Sequence, residues 1–321
     1  MMKRVHVVAA VITNGDEILI ARRPDHLHQG GKWEFPGGKV EPDEPVSEAL
    51  ARELNEELGI IVRASAPLIT IDHEYPDKHV LLDVWRVTDF TGDAKGMEGQ
   101  EVRWVTQDAL ARFEFPAANV AIVAAARLPQ SYVITPDCQI KSPADLDAFV
   151  QKMAAMMVSG QRLFQLRLKR LDAALSVELV QRLLELRARF NATVLVNSDM
   201  PCDVQQAFDG VHLTSAALHQ LSGRPSGCAW VAASCHSPQE LRLAEQRGVD
   251  FVTLSPFRCT ASHPDAEPIG ETRFAEWAFS AKMPVYALGG VGCEDIKLAA
   301  SLGAQGVAGI RAFWPDGCEM W

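Results

Sequence analysis

The chain has 321 residues, 48% hydrophobic and 22% charged, the balance of a soluble globular protein with length enough for two cores. A formal net charge of −10 excludes a broad nucleic-acid-binding surface, which needs a basic face, yet leaves room for a nucleotide whose charge a bound cation offsets. Seven cysteines, an odd count with no C-x-x-C pair and all in the second half, indicate neither a disulfide framework nor a zinc site, and reduced thiols in a cytoplasmic protein account for them.

In chain order, residues 5–12 and 17–21 predict a hairpin about Asn14-Gly15. Asn14, Asp16 and Glu17 interrupt this stretch, so it reads neither as a signal peptide nor as a membrane span. Arg22-Arg23-Pro24 leads into a polar loop, and residues 32–39 predict a strand entering a turn at Gly37-Gly38. A helix follows, with Pro45 suited to its N-terminus and Gly59 to its C-terminal cap. Strands are expected at 68–74 and 80–88 around Tyr75-Pro76-Asp77, and at 101–105, with helices at 107–113 and 119–127. Strands with two or three helices predict an α/β/α sandwich over residues 1–129.

The helix carries the chemistry. Val46, Ala49, Leu50, Leu54 and Leu58 supply an apolar stripe, and at about 100° per residue Glu53, Glu56 and Glu57 fall on another side. Three carboxylates so close repel one another unless a cation neutralises them, and an all-oxygen set of this charge favours Mg²⁺ or Mn²⁺, which also bind phosphate oxygens. Arg52 can pair with a carboxylate and fix its orientation. The competing reading is a solvated acidic helix face. Gly38, Glu44 and the run Arg52-Glu53-Leu54-Asn55-Glu56-Glu57-Leu58-Gly59-Ile60 fill every fixed position of the pattern G-x5-E-x7-R-E-U-x-E-E-x-G-U, with U a bulky apolar residue. That pattern is the Nudix box, and the chain resembles Nudix hydrolases there.

Residues 3–128 further resemble MutT-type 8-oxo-dGTP diphosphatases. The matching pieces are Arg22-Arg23, Trp33-Glu34-Phe35-Pro36-Gly37-Gly38-Lys39, Glu74-Tyr75-Pro76-Asp77, Gly96-Met97-Glu98-Gly99-Gln100 and Phe115-Pro116-Ala117-Ala118-Asn119. The resemblance implies that Gly37, Glu53, Glu56, Glu57 and Glu98 hold divalent metal. It implies that Arg23 contacts phosphate and Asn119 reads an oxidised purine, with Glu34, Phe35, Asp77 and Lys78 beside the pocket. Lys78 stands where relatives often carry an aromatic residue or Arg. From the residues alone, Asn119 could equally cap the helix after it, and one of Trp33 and Phe35 belongs in the core. Arg52, Glu53 and Glu98 are the catalytic candidates, Glu53 or Glu98 accepting a proton from the attacking water.

After the connector Arg127-Leu128-Pro129-Gln130-Ser131, apolar strands are expected at 132–135, 163–168, 193–197, 210–213, 229–234, 251–255, 285–289 and 306–310. Amphipathic stretches at 143–158, 175–190, 238–247 and 271–281 separate them. Eight buried strands with helical crossovers predict a (β/α)8 TIM barrel over residues 130–321. Gln165-Leu166-Arg167-Leu168-Lys169, Gly210-Val211-His212-Leu213, Ser234-Cys235-His236-Ser237, Leu254-Ser255-Pro256-Phe257 and Leu288-Gly289-Gly290-Val291 resemble the thiamine phosphate synthase/TenI family over 131–315.

That resemblance implies ligand or phosphate contacts at Gln165, Arg167, Lys169, Asn197, Ser234, His236, Thr260, Gly289 and Gly290. The chain departs from the synthases at three places. Ser198 replaces an acidic metal ligand after Asn197, Thr214-Ser215-Ala216-Ala217 replace a Gln and a second acidic ligand, and His263 matches a pyrophosphate-gripping Lys. His212 reads as a satisfied core histidine, and His236, at a strand end, as either a structural or an acid/base group.

The expectation is Mg²⁺- or Mn²⁺-dependent cleavage of 8-oxo-dGTP to 8-oxo-dGMP and pyrophosphate, which sanitises the nucleotide pool. The partner is then a small nucleotide, with neither direct nucleic-acid nor membrane contact. The alternatives are hydrolysis of damaged thiamine diphosphates coupled to thiamine phosphate synthesis, or a barrel acting only as a ligand-binding or regulatory module.

Overall fold

The computed structural model describes residues 4–26, 29–74, 79–168, 173–260 and 267–314. It divides into two compact units, Met1–Arg127 and Leu128–Trp321. In the first, β1 (Arg4–Asn14), β2 (Glu17–Arg22), β3 (Trp33–Glu34), β4 (Ile61–Glu74), β5 (His79–Thr91) and β6 (Val102–Thr106) form one sheet in the order β3-β2-β1-β5-β4, with β6 also on β2. The central strand β1 runs parallel to β5 and is buried on both faces. Val8, Ala10 and Ile12 pack with Ala49, Leu50, Leu54 and Leu58 of helix α1 (Val46–Leu58). The alternate residues Ala9 and Val11 pack with Ile122 and Ala125 of α2 (Val120–Arg127). The period-two alternation of β1 therefore places one helix on each face and makes the sandwich. Each leucine that α1 buries against the sheet is worth roughly 1.5–3 kcal/mol, and this holds the helix in place despite its row of acids.

This unit departs from the sequence reading mainly at a few elements. Strand β4 begins at Ile61, seven residues before the expected 68, because Ile61 to Pro67 is a mostly exposed stretch whose pairing with β5 shifts register between Val62 and Ile69 and so hides the alternation. The expected strand 32–39 pairs as a strand only at Trp33–Glu34. Beyond it the chain lies along β1, with Ala10 N–H donating to Pro36 C=O (2.8 Å) and Val8 N–H to Gly38 C=O (2.9 Å). The helix expected at 107–113 is a 3-10 turn, Gln107–Arg112, and a second such turn, Ala117–Asn119, precedes α2. The turn at 75–78 lies outside the described residues.

In the second unit eight parallel strands close in chain order: β7 (Ser131–Ile134), β8 (Leu163–Leu166), β9 (Thr193–Asn197), β10 (Gly210–Leu213), β11 (Trp230–Cys235), β12 (Phe251–Leu254), β13 (Val285–Leu288) and β14 (Gly306–Gly309). Helices α3 (Pro143–Val158), α4 (Ala173–Phe190), α7 (Pro238–Gln246) and α8 (Gly270–Ser280) match the amphipathic stretches to within two residues. The short helices α5 (Cys202–Ala207), α6 (Ser215–Gln220) and α9 (Ile296–Ser301) escape a periodicity reading because two turns carry too few apolar positions. One ion-pair device recurs at strand starts. Asp209 and Asp250 each accept the backbone N–H of a neighbouring strand residue, Val194 (2.9 Å) and Val231 (2.7 Å), and each is gripped by an arginine, Arg187 and Arg224. The six cysteines among the described residues are free thiols, and no helix of the described residues is long and apolar enough to cross a membrane.

The barrel interior is polar as well as aromatic. His212 is 1% exposed, with Nδ1 3.0 Å from the Tyr132 hydroxyl and Nε2 2.9 Å from Ser234 Oγ. Gln165 Nε2 donates to the Tyr132 hydroxyl (3.4 Å), and Asn197 Nδ2 to Gln165 Oε1 (3.3 Å). Burial, with a smaller push from the Arg167 charge, lowers the His212 pKa to about 3. The unfolded chain, with an ordinary imidazole near 6.5, takes up this proton first, so the stabilisation is complete above about pH 6.5 and drains as the pH falls toward 3. Between pH 7 and pH 4 the barrel of the wild-type chain should lose about 3 kcal/mol more unfolding free energy than that of His212→Asn. Urea titrations at the two pH values check this, and equal losses in the two proteins would contradict it.

Candidate active site

Helix α1 is stopped by Gly59 at φ 70°, whose N–H donates to Asn55 C=O (3.0 Å). Its acids diverge in use. Glu57 turns toward the Gly37-Gly38 bend and accepts the Gly37 N–H at 3.0 Å. The Glu53 carboxylate lies where a Cβ on Gly38 would stand, so glycine at 38 makes room for it. Arg52 fixes Glu53 from the other side, donating to its Oε1 (2.8 Å), to both Glu44 oxygens (2.9 Å each) and to Lys39 C=O (3.0 Å). These bonds hold the Glu44 carboxyl down to about pKa 2 and raise that of Arg52. Glu56 does not join the group. Its side chain is 59% exposed and stands 3.5 Å from Arg52. Glu98 lies in the exposed loop between β5 and β6, near enough for its charge to act on Glu57.

Electrostatics tie these acids together. Burial pushes the Glu57 carboxyl up to about 7; the Gly37 N–H opposes this, while the negative charges of Glu34, Glu53 and Glu98 add to it. Glu34 is raised by burial too, against the pull of its ion-pair partner Arg23. Among the described residues no three His, Cys, Asp or Glu side chains stand close enough to close around an ion as they are. One Glu53 oxygen is turned to Arg52 and one Glu57 oxygen to Gly37. The donor set is nonetheless all hard oxygen, and its mutual repulsion is what a divalent cation relieves, so the residues present fit Mg²⁺ or Mn²⁺. The carbonyls flanking Gly37 pair with β1, whereas among the described residues no such pairing uses the Gly37 carbonyl.

Beside the bend opens a cavity of about 500 Å³, lined by Arg23, Gln29, Glu34, Phe35, Gly37, Lys39 and Asn119, among others. Phe35 is only 4% exposed and stacks on Phe115 with centroids 5.4 Å apart, so it is at once core and cavity wall. Trp33 packs edge-on to Phe113 (5.3 Å) under the Arg103 guanidinium. Asn119, the last residue of its 3-10 turn, is half-buried on the cavity wall. Asp77 and Lys78 lie outside the described residues.

The barrel has its own cavity at the C-terminal strand ends, also about 500 Å³, lined by Gln165, Arg167, Asn197, Asp199, Ser234, His236, Ser255, Thr260 and Gly289 among others. Gly290 lines an adjoining space of about 280 Å³ with Thr260, Gly289, Glu294 and Arg311. Gly289 and Gly290 both have positive φ, at 100° and 69°, which a side chain at either position would strain. Lys169 and His263 lie outside the described residues. The sequence reading misses the residues that hold His236 on the rim. Ser255 C=O and Oγ stand 2.9 and 3.2 Å from its Nδ1, and Glu240 accepts its backbone N–H at 2.5 Å. Strand alternation from Phe251 would have placed Ser255 inward; Glu240, on α7, has no such signal.

The NUDIX domain model matches residues 7–125 and the thiamine monophosphate synthase model residues 131–313. Over 124 residues the chain is 37% identical to the 8-oxo-dGTP diphosphatase of Escherichia coli (38% of this chain, 96% of that protein). It is 38% identical over 124 residues to the CTP pyrophosphohydrolase of the same organism (39% and 92%). Its second half is 34% identical over 187 residues to the “Putative thiamine-phosphate synthase 2” of Aquifex aeolicus (58% and 98%). The chain therefore belongs to the Nudix family through its first half and to the thiamine monophosphate synthase family through its second.

The two glycines of the bend should separate fold from site. A Cβ at 37 would strike the Val8 carbonyl oxygen, with φ at 145°, so Gly37→Ala should cost about 2–4 kcal/mol and lower Tm. At 38 the three nearest atoms it would meet all belong to the Glu53 carboxylate, the end of a flexible side chain, so Gly38→Ala should leave Tm nearly unchanged while weakening Mn²⁺ binding about tenfold or more. Calorimetric melting and Mn²⁺ titration by electron paramagnetic resonance distinguish the two outcomes.

Proposed function

We propose that the first domain is a divalent-metal-dependent nucleoside triphosphate diphosphatase acting on 8-oxo-dGTP, which removes an oxidised precursor before polymerases use it. The observation that carries this reading is the convergence of Glu53 and Glu57 on the Gly37-Gly38 bend beside a cavity walled by Arg23, Phe35 and Asn119. Glu53, Glu57, Glu98 and the Gly37 carbonyl would hold the cation, with Glu56 at the outer side. When bound, the cation supplies charge neutralisation for the triphosphate and acidifies water.

The chain's own groups do the rest. Arg52 holds Glu53 in orientation, and Glu53 or Glu98 takes a proton from the attacking water. The water oxygen bonds to the β-phosphorus, and the bridging oxygen leaves with the nucleoside monophosphate, so pyrophosphate is the other product. Arg23 faces phosphate. The Asn119 amide, with one donor group and one acceptor, can match a purine edge on two atoms.

The likeness to a CTP pyrophosphohydrolase supports a second reading, in which the same site takes a pyrimidine nucleotide. Steady-state kinetics on 8-oxo-dGTP, dGTP, CTP and oxidised thiamine diphosphate decide among the substrates. The expected kcat/KM for 8-oxo-dGTP exceeds that for dGTP by about 100-fold, and Asn119→Ala narrows the ratio to about tenfold. Comparable values for 8-oxo-dGTP and dGTP would defeat the sanitising role. Glu53→Gln should lower turnover at saturating Mg²⁺ by at least about 100-fold.

For the barrel, the paired glycines and the cavity support binding of a small phosphorylated ligand. Ser198 and Ala216-Ala217 stand where the synthases carry acidic metal ligands, which leaves Asp199, one position on from Ser198, as the carboxylate on the cavity wall for a metal-bridged pyrophosphate. The whole chain, incubated with thiazole phosphate, a pyrimidine diphosphate and Mg²⁺, should bind the monophosphate by calorimetry and form no thiamine phosphate. Product formation would restore the synthase reading.

A further inference from the structure

Gln100 stands outside the acidic group and touches both elements that carry it. Its Oε1 accepts the backbone N–H of Glu98 at 2.9 Å, and its Nε2 donates to the backbone carbonyl of Glu57 at 3.1 Å. That carbonyl is in the last turn of α1, where helix carbonyls lack intrahelical partners. It also accepts Met97 N–H (2.9 Å), and Leu58 C=O accepts Lys95 N–H (3.1 Å), so the loop caps the helix through backbone as well as side chain. The turn itself is tight. Gly99 N–H returns to Gly96 C=O at 3.2 Å, and a Cβ on Gly96 would collide with the Gln100 carbonyl oxygen. The backbone contacts fix residues 95 and 97 against α1. Among the described residues, the Gln100 amide is the side chain that ties the Glu98 backbone to α1.

We infer that Gln100 is a positioning residue, which sets where Glu98 stands relative to Glu53 and Glu57 and so completes the cation site. The inference rests on the metal-dependent reading of this site, but not on the identity of the nucleotide. An amide is the side chain the position requires, because one end must accept and the other donate. Gln100→Glu keeps an acceptor for Glu98 N–H and places an oxygen against the Glu57 carbonyl, so it should fail at the second contact.

The test uses the whole chain, with Mn²⁺ alone as the probe and metal-dependent hydrolysis as the second readout. Gln100→Ala and Gln100→Glu should each weaken Mn²⁺ binding about tenfold and raise the Mg²⁺ concentration for half-maximal turnover by a similar factor. In a Glu98→Gln background, Gln100→Ala should change Mn²⁺ affinity less than about twofold, because the group it positions is already gone. Unchanged binding in the single variants would overturn the proposal. So would an equal loss in both backgrounds, since that would mean Gln100 supports the loop in general. A chain that binds Mn²⁺ in the expected pattern yet cleaves no nucleotide would keep the positioning role and reject the diphosphatase reading.

Discussion

A hydrogen bond from the Gly37 N–H to the Glu57 carboxylate joins a helix to a backbone bend, and much of the first domain's chemistry depends on that junction. Three like charges around Glu57 and its own burial make the arrangement costly without a cation. It persists because the opposite side of α1 buries Ala49, Leu50, Leu54 and Leu58 in the sheet, and because Arg52 binds two carboxylates and a carbonyl at once. Apolar burial is indifferent to charge, so one helix can be anchored on one face and electrostatically strained on the other. Strain of this kind is the state a divalent ion relieves on binding.

The barrel solves a different problem with different groups. Its interior holds a chain of neutral partners, Asn197, Gln165, Tyr132, His212 and Ser234, each within hydrogen-bonding distance of the next. Buried polar side chains are tolerable when their partners are provided, and a neutral set avoids the larger cost of a buried charge. Above this layer the strand ends present His236, Arg167 and the two glycines to the cavity. The first domain thus carries a concentrated negative site, whereas the barrel wall sets Arg167 and Arg311 against Asp199 and Glu294 around its glycines.

Much of this was legible beforehand, and the limits have identifiable causes. The Nudix spacing placed α1 and its acids because helix periodicity, a terminal glycine and charge pattern agree. The eight barrel strands stood out as short apolar runs, since parallel strands buried on both faces need no alternation. The first seven residues of β4, the 3-10 turn at Ala117–Asn119 and the short barrel helices were illegible because exposed or very short elements leave too few buried positions to register, and the turn at Gln107–Arg112 was legible as helical but not as 3-10. Spacing also grouped Glu56 with Glu53 and Glu57, yet Glu56 turns toward solvent. A hundred degrees of helix separates neighbours, and only the position of the bend selects which of them faces it.

The sequence by itself determined the local elements, the order of the two domains and the residue types at each candidate site, because these follow from periodicity and spacing along one chain. The tertiary structure alone decided which acids face the bend, that Gln100 bridges Glu98 to α1, and that Ser255 and Glu240 hold His236. Those contacts join residues on different elements, and their distances depend on how strands and helices pack. No local pattern encodes that packing.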